Sequence, residues 1–79
     1  MSFYLKFSSK GCKPCKTLST WLVDQGVTTI DYKVESDHAK AQQYRVRSVP
    51  TVIEVDEVGN ELNRMVGFNL TEAKRFFNV

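Results

Sequence analysis

The chain has 79 residues, of which 42% are hydrophobic and 25% charged, with only four glycines and two prolines. This balance is typical of one small folded domain and excludes a disordered, collagen-like or low-complexity chain. The net charge of +2 is too small for a general nucleic-acid binder, and no apolar run is long enough for a membrane span or a signal peptide. We therefore expect residues 1–79 to form a single cytoplasmic domain without nucleic-acid or membrane partners.

The first two elements follow from hydrophobic spacing. Apolar and polar residues alternate over residues 3–7, which predicts a strand with one apolar face. Over residues 12–25 apolar positions recur every three or four residues, which predicts a helix with Pro14 in its first turn, where proline is tolerated. Gly26 supplies the left-handed stop at the end of this helix.

A second strand and a short second helix are predicted next. Residues 28–34 alternate in the same way as the first strand. Ser36 or Asp37 then caps a helix that runs to about Tyr44. The buried positions expected on this helix are Ala39, Ala41 and Tyr44.

The last third of the chain predicts a hairpin and a final helix. Residues 52–55 form the third strand, a turn covers residues 56–60, and residues 61–66 return as an antiparallel fourth strand. Asn69 and Glu72 have the spacing of a capping box. The apolar stripe of the final helix is Leu70, Ala73, Phe76 and Phe77, of which both phenylalanines are expected in the core.

The predicted element order is β-α-β-α-β-β-α. Two strands joined through a helix pair in parallel with a right-handed crossover, whereas a tight hairpin is antiparallel. We therefore predict an α/β fold with a four-stranded mixed sheet and three helices over its faces. Hydrophobic patterns alone leave the order of the strands open.

The two cysteines, Cys12 and Cys15, are separated by Lys13 and Pro14, and three interpretations compete. A structural disulfide over so short a loop would stabilise the fold by only about 2 kcal/mol. A zinc site needs four ligands, and His38 is the one histidine that could join the two thiolates. We therefore predict a redox pair and no metal site, because this spacing at the start of a helix lets two thiols close without backbone movement.

Four lysines surround the cysteines without an intervening acid. They are Lys6, Lys10, Lys13 and Lys16. One interpretation is a solvated face of the domain. The other is a local positive potential, which would favour thiolate over thiol and attract anionic partners.

Three motifs together resemble those of the thioredoxin and glutaredoxin superfamily. They are GCKPCK at residues 11–16, SVPT at residues 48–51 and VG at residues 66–67. The resemblance implies a thioredoxin fold in its minimal β-α-β-α-β-β-α form. The chain is too short for the extra N-terminal strand and helix of a full thioredoxin, so the motif is thioredoxin-like on a glutaredoxin-sized frame. Lys13 and Pro14 stand where glutaredoxins usually carry Pro-Tyr, which weighs against tight glutathione binding.

The resemblance implies a dithiol–disulfide oxidoreductase. We expect Cys12 to be the exposed nucleophile, because unpaired N–H groups at a helix start favour a negative sulfur, and Cys15 to be the buried resolving thiol. By resemblance Pro50 follows a cis peptide bond and packs beside the disulfide, which lets the Val49 backbone pair with an extended substrate. The further expected substrate-binding residues are Gly11, Thr51, Gly67 and Phe68, and the expected redox-tuning residues are Lys13, Pro14, Lys16, Lys6 and Asp31.

Lys6 and Asp31 suggest an exchanged charge pair. Thioredoxins carry a buried carboxylate on the strand before the motif, and Lys6 stands at its place, six residues before Cys12. Asp31 stands nineteen residues before Pro50, where the family's partner lysine would fall. We hypothesise the same cross-strand pair with its ends exchanged, within roughly 6 Å on one sheet face, against the alternative of two unrelated exposed charges.

The resemblance also implies partners. Small redoxins of this kind, some of them phage-encoded, donate electrons to protein disulfides such as that of ribonucleotide reductase. The reductant would be a thioredoxin-reductase-like flavoenzyme or glutathione, and the chain would be a monomer without a bound cofactor. Two alternatives stay open: a glutathione-dependent glutaredoxin in which Lys10 and Lys13 hold glutathione carboxylates, or a binding module that docks on another protein through its lysine-rich face.

Overall fold

The computed structural model describes all 79 residues and contains the seven predicted elements in the predicted order. They are β1 (Phe3–Ser8), α1 (Lys13–Gln25), β2 (Ile30–Lys33), α2 (His38–Gln43), β3 (Thr51–Val55), β4 (Glu61–Val66) and α3 (Leu70–Phe77). The strand order, which the sequence left open, is β2-β1-β3-β4. β1 pairs in parallel with β2 and antiparallel with β3, and β3 pairs antiparallel with β4, so the predicted mixed sheet is confirmed.

The core consists of two layers, one on each face of the sheet. On one face, Leu18 and Leu22 of α1 pack with α3 against β3 and β4. On the other face, the segment around α2 covers Leu5 and Phe7 of β1. Because side chains alternate along a strand, the even-numbered residues of β1 point towards α1. Tyr4 accordingly packs with the α1 and α3 layer.

The caps of the long helices largely follow the sequence. Gly26 ends α1 in the left-handed conformation with φ 70°, and its N–H donates to the Leu22 carbonyl. Asn69 begins α3, and its side chain accepts the Glu72 N–H at 3.1 Å. The reciprocal bond from the Asn69 N–H to the Glu72 carboxylate is absent, so the predicted capping box is only half formed. Asp37 stands before α2, but its carboxylate accepts the Lys33 N–H at 2.9 Å and makes no helix cap.

We expect Asn69→Ala to destabilise the protein by about 1 kcal/mol, because α3 would lose the acceptor for one of its first N–H groups. For a chain of this size the melting temperature should fall by about 4–8 °C. Asn69→Ser, which keeps a capping oxygen, should stay close to the original value in the same melting experiment. Equal losses in the two variants would contradict the capping role.

Several apolar positions are more exposed than the patterns predicted. Phe3, at the start of β1, is 41% exposed. The second strand begins at Ile30 instead of residue 28, and as an edge strand it leaves Ile30 largely exposed. The remaining corrections concern helix positions that face partly or wholly away from the sheet: Ala39 and Leu70 are exposed, and Ala41 and Phe76 are only partly buried.

None of the helices has the length and apolar character needed to cross a membrane.

Candidate active site

Three of the predicted motifs meet at one end of the sheet. The register pairs Phe7 near the end of β1 with Thr51 at the start of β3, and Thr51 with Val66 at the end of β4. The loop that leads to Cys12, the residue Pro50 and the turn after β4 therefore lie at the same end. The antiparallel pairing of β1 with β3 produces this meeting, because it places the end of one strand beside the start of the other.

Cys12 and Cys15 form a disulfide at the start of α1, with their Cα atoms 5.2 Å apart. Cys12 is the N-cap residue, and its Sγ accepts the Cys15 N–H at 3.2 Å. Cys12 is partly exposed, whereas Cys15 is only 3% exposed. A thiolate formed at Cys12 would therefore face solvent and one of the unpaired N–H groups of the helix, which is the arrangement that lowers a thiol pKa.

The flanking residues of the motif present cations to solvent. Helix α1 begins at Lys13, one residue later than predicted, with Pro14 in the first turn. Lys13, Pro14 and Lys16 are all exposed. Gly11 has φ 81°, a conformation that favours glycine, and an added Cβ there would meet no neighbour within 4 Å.

The peptide bond between Val49 and Pro50 is cis, and Pro50 is fully buried. Its carbonyl accepts the Gly67 N–H at 2.8 Å, which ties the turn after β4 to the proline loop. Val49 is partly exposed, and neither its N–H nor its carbonyl has a hydrogen-bond partner within the chain. An extended peptide can pair with these two free backbone groups by adding a strand.

Two predicted contact residues lie deeper than expected. Thr51 is only 1% exposed, and its hydroxyl donates to the Ser48 carbonyl at 2.8 Å. The Thr51 side chain therefore offers no surface to a substrate, contrary to expectation, because β3 is a central strand and is covered on both faces. Phe68 is partly buried, with its ring centroid 5.9 Å from that of Trp21. It therefore keeps only part of its surface for a partner.

Lys6 and Asp31 do form a cross-strand ion pair. They are register partners in β1 and β2, and Lys6 Nζ lies 3.6 Å from Asp31 Oδ1. The two charges are unequally placed, because Lys6 is 7% exposed, whereas the Asp31 side chain is 59% exposed. Lys6 is thus no part of a solvated lysine face, although Lys10, Lys13 and Lys16 are exposed.

The Lys6 ammonium lies under the active-site helix. Its Nζ donates to Ser19 Oγ at 2.6 Å, and Ser19 is one helical turn after Cys15 on the same face of α1. Next to this contact, Lys33 Nζ donates to Ser8 Oγ at 3.1 Å. We call the five residues Lys6, Ser8, Ser19, Asp31 and Lys33 the polar cluster. It occupies the part of the α1 face beside β1 and β2, next to the apolar layer.

Ser8, Ser19 and Lys33 of this cluster were not identified from the sequence. The polar residues Lys6 and Ser8 near the end of β1 were visible in the sequence, but their burial follows only from the central position of the strand in the sheet. A buried polar position requires a hydrogen-bonding partner, and Ser19 at helical spacing from Cys15 is such a partner.

Glu35 also escaped prediction, and it holds the loop before Cys12. Its Oε2 accepts the Lys10 N–H at 2.6 Å. This hydrogen bond is the largest cause that lowers the Glu35 pKa below its usual value, and the charges of Lys33 and Lys10 are among the smaller causes. The contact is therefore fully formed at pH values above the ordinary glutamate pKa, and it is lost as the pH falls through the lowered Glu35 pKa.

We expect the Lys10 amide resonance to shift in an acid titration with a midpoint below 4.5, the ordinary value for glutamate. The physical reason is that protonation removes the charge that the Lys10 N–H binds. Glu35→Gln should abolish this titration, and NMR spectra recorded between neutral and acid pH measure it. A midpoint at or above 4.5 would contradict the assignment.

The structure contains no group of three or more His, Cys, Asp and Glu side chains placed to hold a metal ion.

Comparison with known proteins gives two kinds of relative. No protein-family model matches the chain. The chain is 31% identical over 68 residues to the SPbeta prophage-derived thioredoxin-like protein YosR of Bacillus subtilis (strain 168). The matched region covers 86% of this chain and 85% of that protein.

Solved thioredoxin structures share the fold at low sequence identity. Fasciola hepatica thioredoxin superposes with a TM-score of 0.86 at 21% identity, over 98% of this chain and 78% of that one. A poplar thioredoxin h gives a TM-score of 0.84 at 17% identity, over 98% and 73%. Oxidised thioredoxin from Plasmodium falciparum gives 0.83 at 17% identity, over 98% and 78%.

A four-stranded mixed sheet with a disulfide at the start of its first helix defines a thioredoxin fold with a redox-active pair. The chain belongs to the thioredoxin-like proteins, as its identity to the prophage-derived relative establishes. With its Cys12–Cys15 disulfide it is a thiol–disulfide oxidoreductase.

Proposed function

We propose that the protein reduces disulfides of other proteins, with Cys12 as nucleophile and Cys15 as resolving thiol. The observation that carries this proposal is the unequal exposure of the two cysteines, since Cys12 is open to a partner and Cys15 is buried one turn behind it. The Cys12 thiolate attacks one sulfur of the partner disulfide, and the other sulfur leaves as a thiolate. Cys15 then attacks Cys12, which releases the second partner thiol and closes the Cys12–Cys15 bond.

The partner is held as an added strand. The free N–H and carbonyl of Val49 offer two hydrogen bonds to an extended segment that carries the partner disulfide. Backbone recognition of this kind tolerates many side chains, so several protein disulfides can be substrates. Gly67, whose N–H donates to the Pro50 carbonyl, and the exposed part of Phe68 are the proposed further contacts of this strand.

Lys6 is proposed to tune the redox pair without touching the substrate. Its buried ammonium contacts Ser19, one helical turn after Cys15, and stabilises the negative charge that reduction places on the thiols. Asp31 offsets part of that effect from the exposed side. The exposed cations Lys13 and Lys16 add to the same potential, although solvent screens them more strongly.

The resemblance suggests ribonucleotide reductase as one target, and a thioredoxin-reductase-like flavoenzyme as the reductant with glutathione as the alternative. The expected cytoplasmic location, monomeric state and lack of a bound cofactor stay predictions from the sequence. The likeness over 86% of this chain to a relative described as thioredoxin-like is the reason to test the flavoenzyme first.

The test measures reduction of insulin disulfides by the purified chain in two arms. One arm supplies NADPH and a thioredoxin reductase, and the other supplies NADPH, glutathione and glutathione reductase. We expect turnover in both arms and faster turnover in the first. Disulfide reduction would be refuted if the chain did not raise the rate in either arm or with dithiothreitol as the reductant. Faster turnover with glutathione than with the thioredoxin reductase would assign the glutaredoxin alternative.

A further inference from the structure

A cavity of about 760 Å³ lies behind the disulfide, between α1 and the segment that follows β2. Cys15 lines it, but Cys12, Val49 and Pro50 do not. It therefore extends behind the surface at which a partner disulfide arrives and borders that surface at Gly11. Its volume falls within the range of about 300–1,000 Å³ that is typical of small-molecule sites.

Two serine hydroxyls in this cavity have protons without an acceptor in the chain. Ser8 Oγ accepts from Lys33 Nζ at 3.1 Å, and Ser19 Oγ accepts from Lys6 Nζ at 2.6 Å. Each hydroxyl also carries one proton, and neither donates it to another group of the protein. Ser8 is only 3% exposed, so the cavity is where its proton can find an acceptor.

The charged residues of the lining are mostly positive. Lys10, Lys16 and Lys33 line the cavity together with a single acid, Glu35. One Glu35 oxygen is already engaged by the Lys10 N–H at 2.6 Å. The buried Lys6 ammonium behind Ser19 adds a further positive charge.

We propose that this cavity binds a small organic anion that carries phosphate or carboxylate groups. Free hydroxyl protons and ammonium groups are hydrogen-bond donors for oxyanions, and lysine binds such groups as a point charge. Cys15 is the one hydrophobic residue of the lining. The polar cluster supplies the site with Ser8, Ser19 and Lys33.

The test is an NMR titration of the oxidised full-length chain at constant ionic strength, with inorganic phosphate and with citrate as separate probes. We expect saturable shifts of the Ser8, Ser19 and Lys33 amide resonances with at least one probe. The probe that binds more tightly identifies the anionic group of the ligand. Lys33→Met should weaken binding by at least about tenfold, because it removes both a charge and the lysine that orients Ser8.

Lys74→Met is the matched control, because it removes the same charge from an exposed position on α3 outside the cavity. It should leave the affinity unchanged. Equal weakening by the two substitutions would overturn the proposal, because it would indicate attraction to the net charge alone. Shifts that do not saturate with either probe, or that spread evenly over all lysines, would overturn it as well.

Discussion

Replacing Cys12 by serine lowers the rate of disulfide reduction by at least about a hundredfold, a loss of about 2.7 kcal/mol of transition-state stabilisation. The reason is that a serine hydroxyl is not ionised at neutral pH and cannot attack a disulfide sulfur, so no mixed disulfide forms. Cys12 is the cysteine that is open to a partner, and its Sγ accepts the Cys15 N–H at 3.2 Å. Insulin reduction with a fixed reductant measures the loss.

Cys15→Ser is the matched variant, and its expected result is different. Cys12 still attacks the partner, but no second thiol releases it, so the mixed disulfide accumulates and is visible on a non-reducing gel. The double serine variant should form no such adduct. An adduct formed by Cys12→Ser and not by Cys15→Ser would reverse the roles of the two cysteines.

Replacing Lys6 by methionine should lower the reduction potential of the Cys12–Cys15 pair by about 30 mV, equivalent to a tenfold shift in exchange with glutathione. The sign follows from charge. A buried cation near Cys15 favours the thiolates of the reduced form, so its removal favours the disulfide. Equilibration with glutathione redox buffers measures the shift.

Asp31→Asn should move the potential in the opposite direction, because it leaves the Lys6 cation without its partner. Its effect should be smaller, since the Asp31 side chain is 59% exposed and solvent screens it. Methionine has nearly the volume of lysine, so Lys6→Met should keep the packing under α1. Denaturant unfolding of the oxidised forms checks that both variants fold. Shifts of the same sign in the two variants would contradict an electrostatic role for this pair.

The element order and the redox pair could be predicted because both are local properties of the chain. Alternation, helical spacing and the stop at Gly26 act over a few residues, and the two cysteines lie within a single helical turn. The cis bond before Pro50 was expected from resemblance to a family, and the free backbone groups of Val49 agree with the substrate pairing that the same resemblance suggested.

The exposure of individual side chains could not be predicted in the same way. Thr51 was expected to contact the substrate and is buried, whereas Phe3 and Ile30 stand on the predicted apolar sides of their strands and are partly exposed. Their periodicity was assigned correctly. Burial depends on which strand is central and which helix covers it, and the strand order β2-β1-β3-β4 arises only from long-range pairing.

The sequence by itself determined the seven elements and their order, the small size of the domain and the presence of a dithiol at the start of a helix. Only the tertiary structure decided that Lys6 is buried and reaches Ser19 beneath Cys15. It also decided that Ser8 and Lys33 meet and that a cationic cavity opens behind the disulfide. The physical reason is that a charge beside a cysteine in the sequence can face solvent or the protein interior, and only the packing of α1 on β1 and β2 determines which.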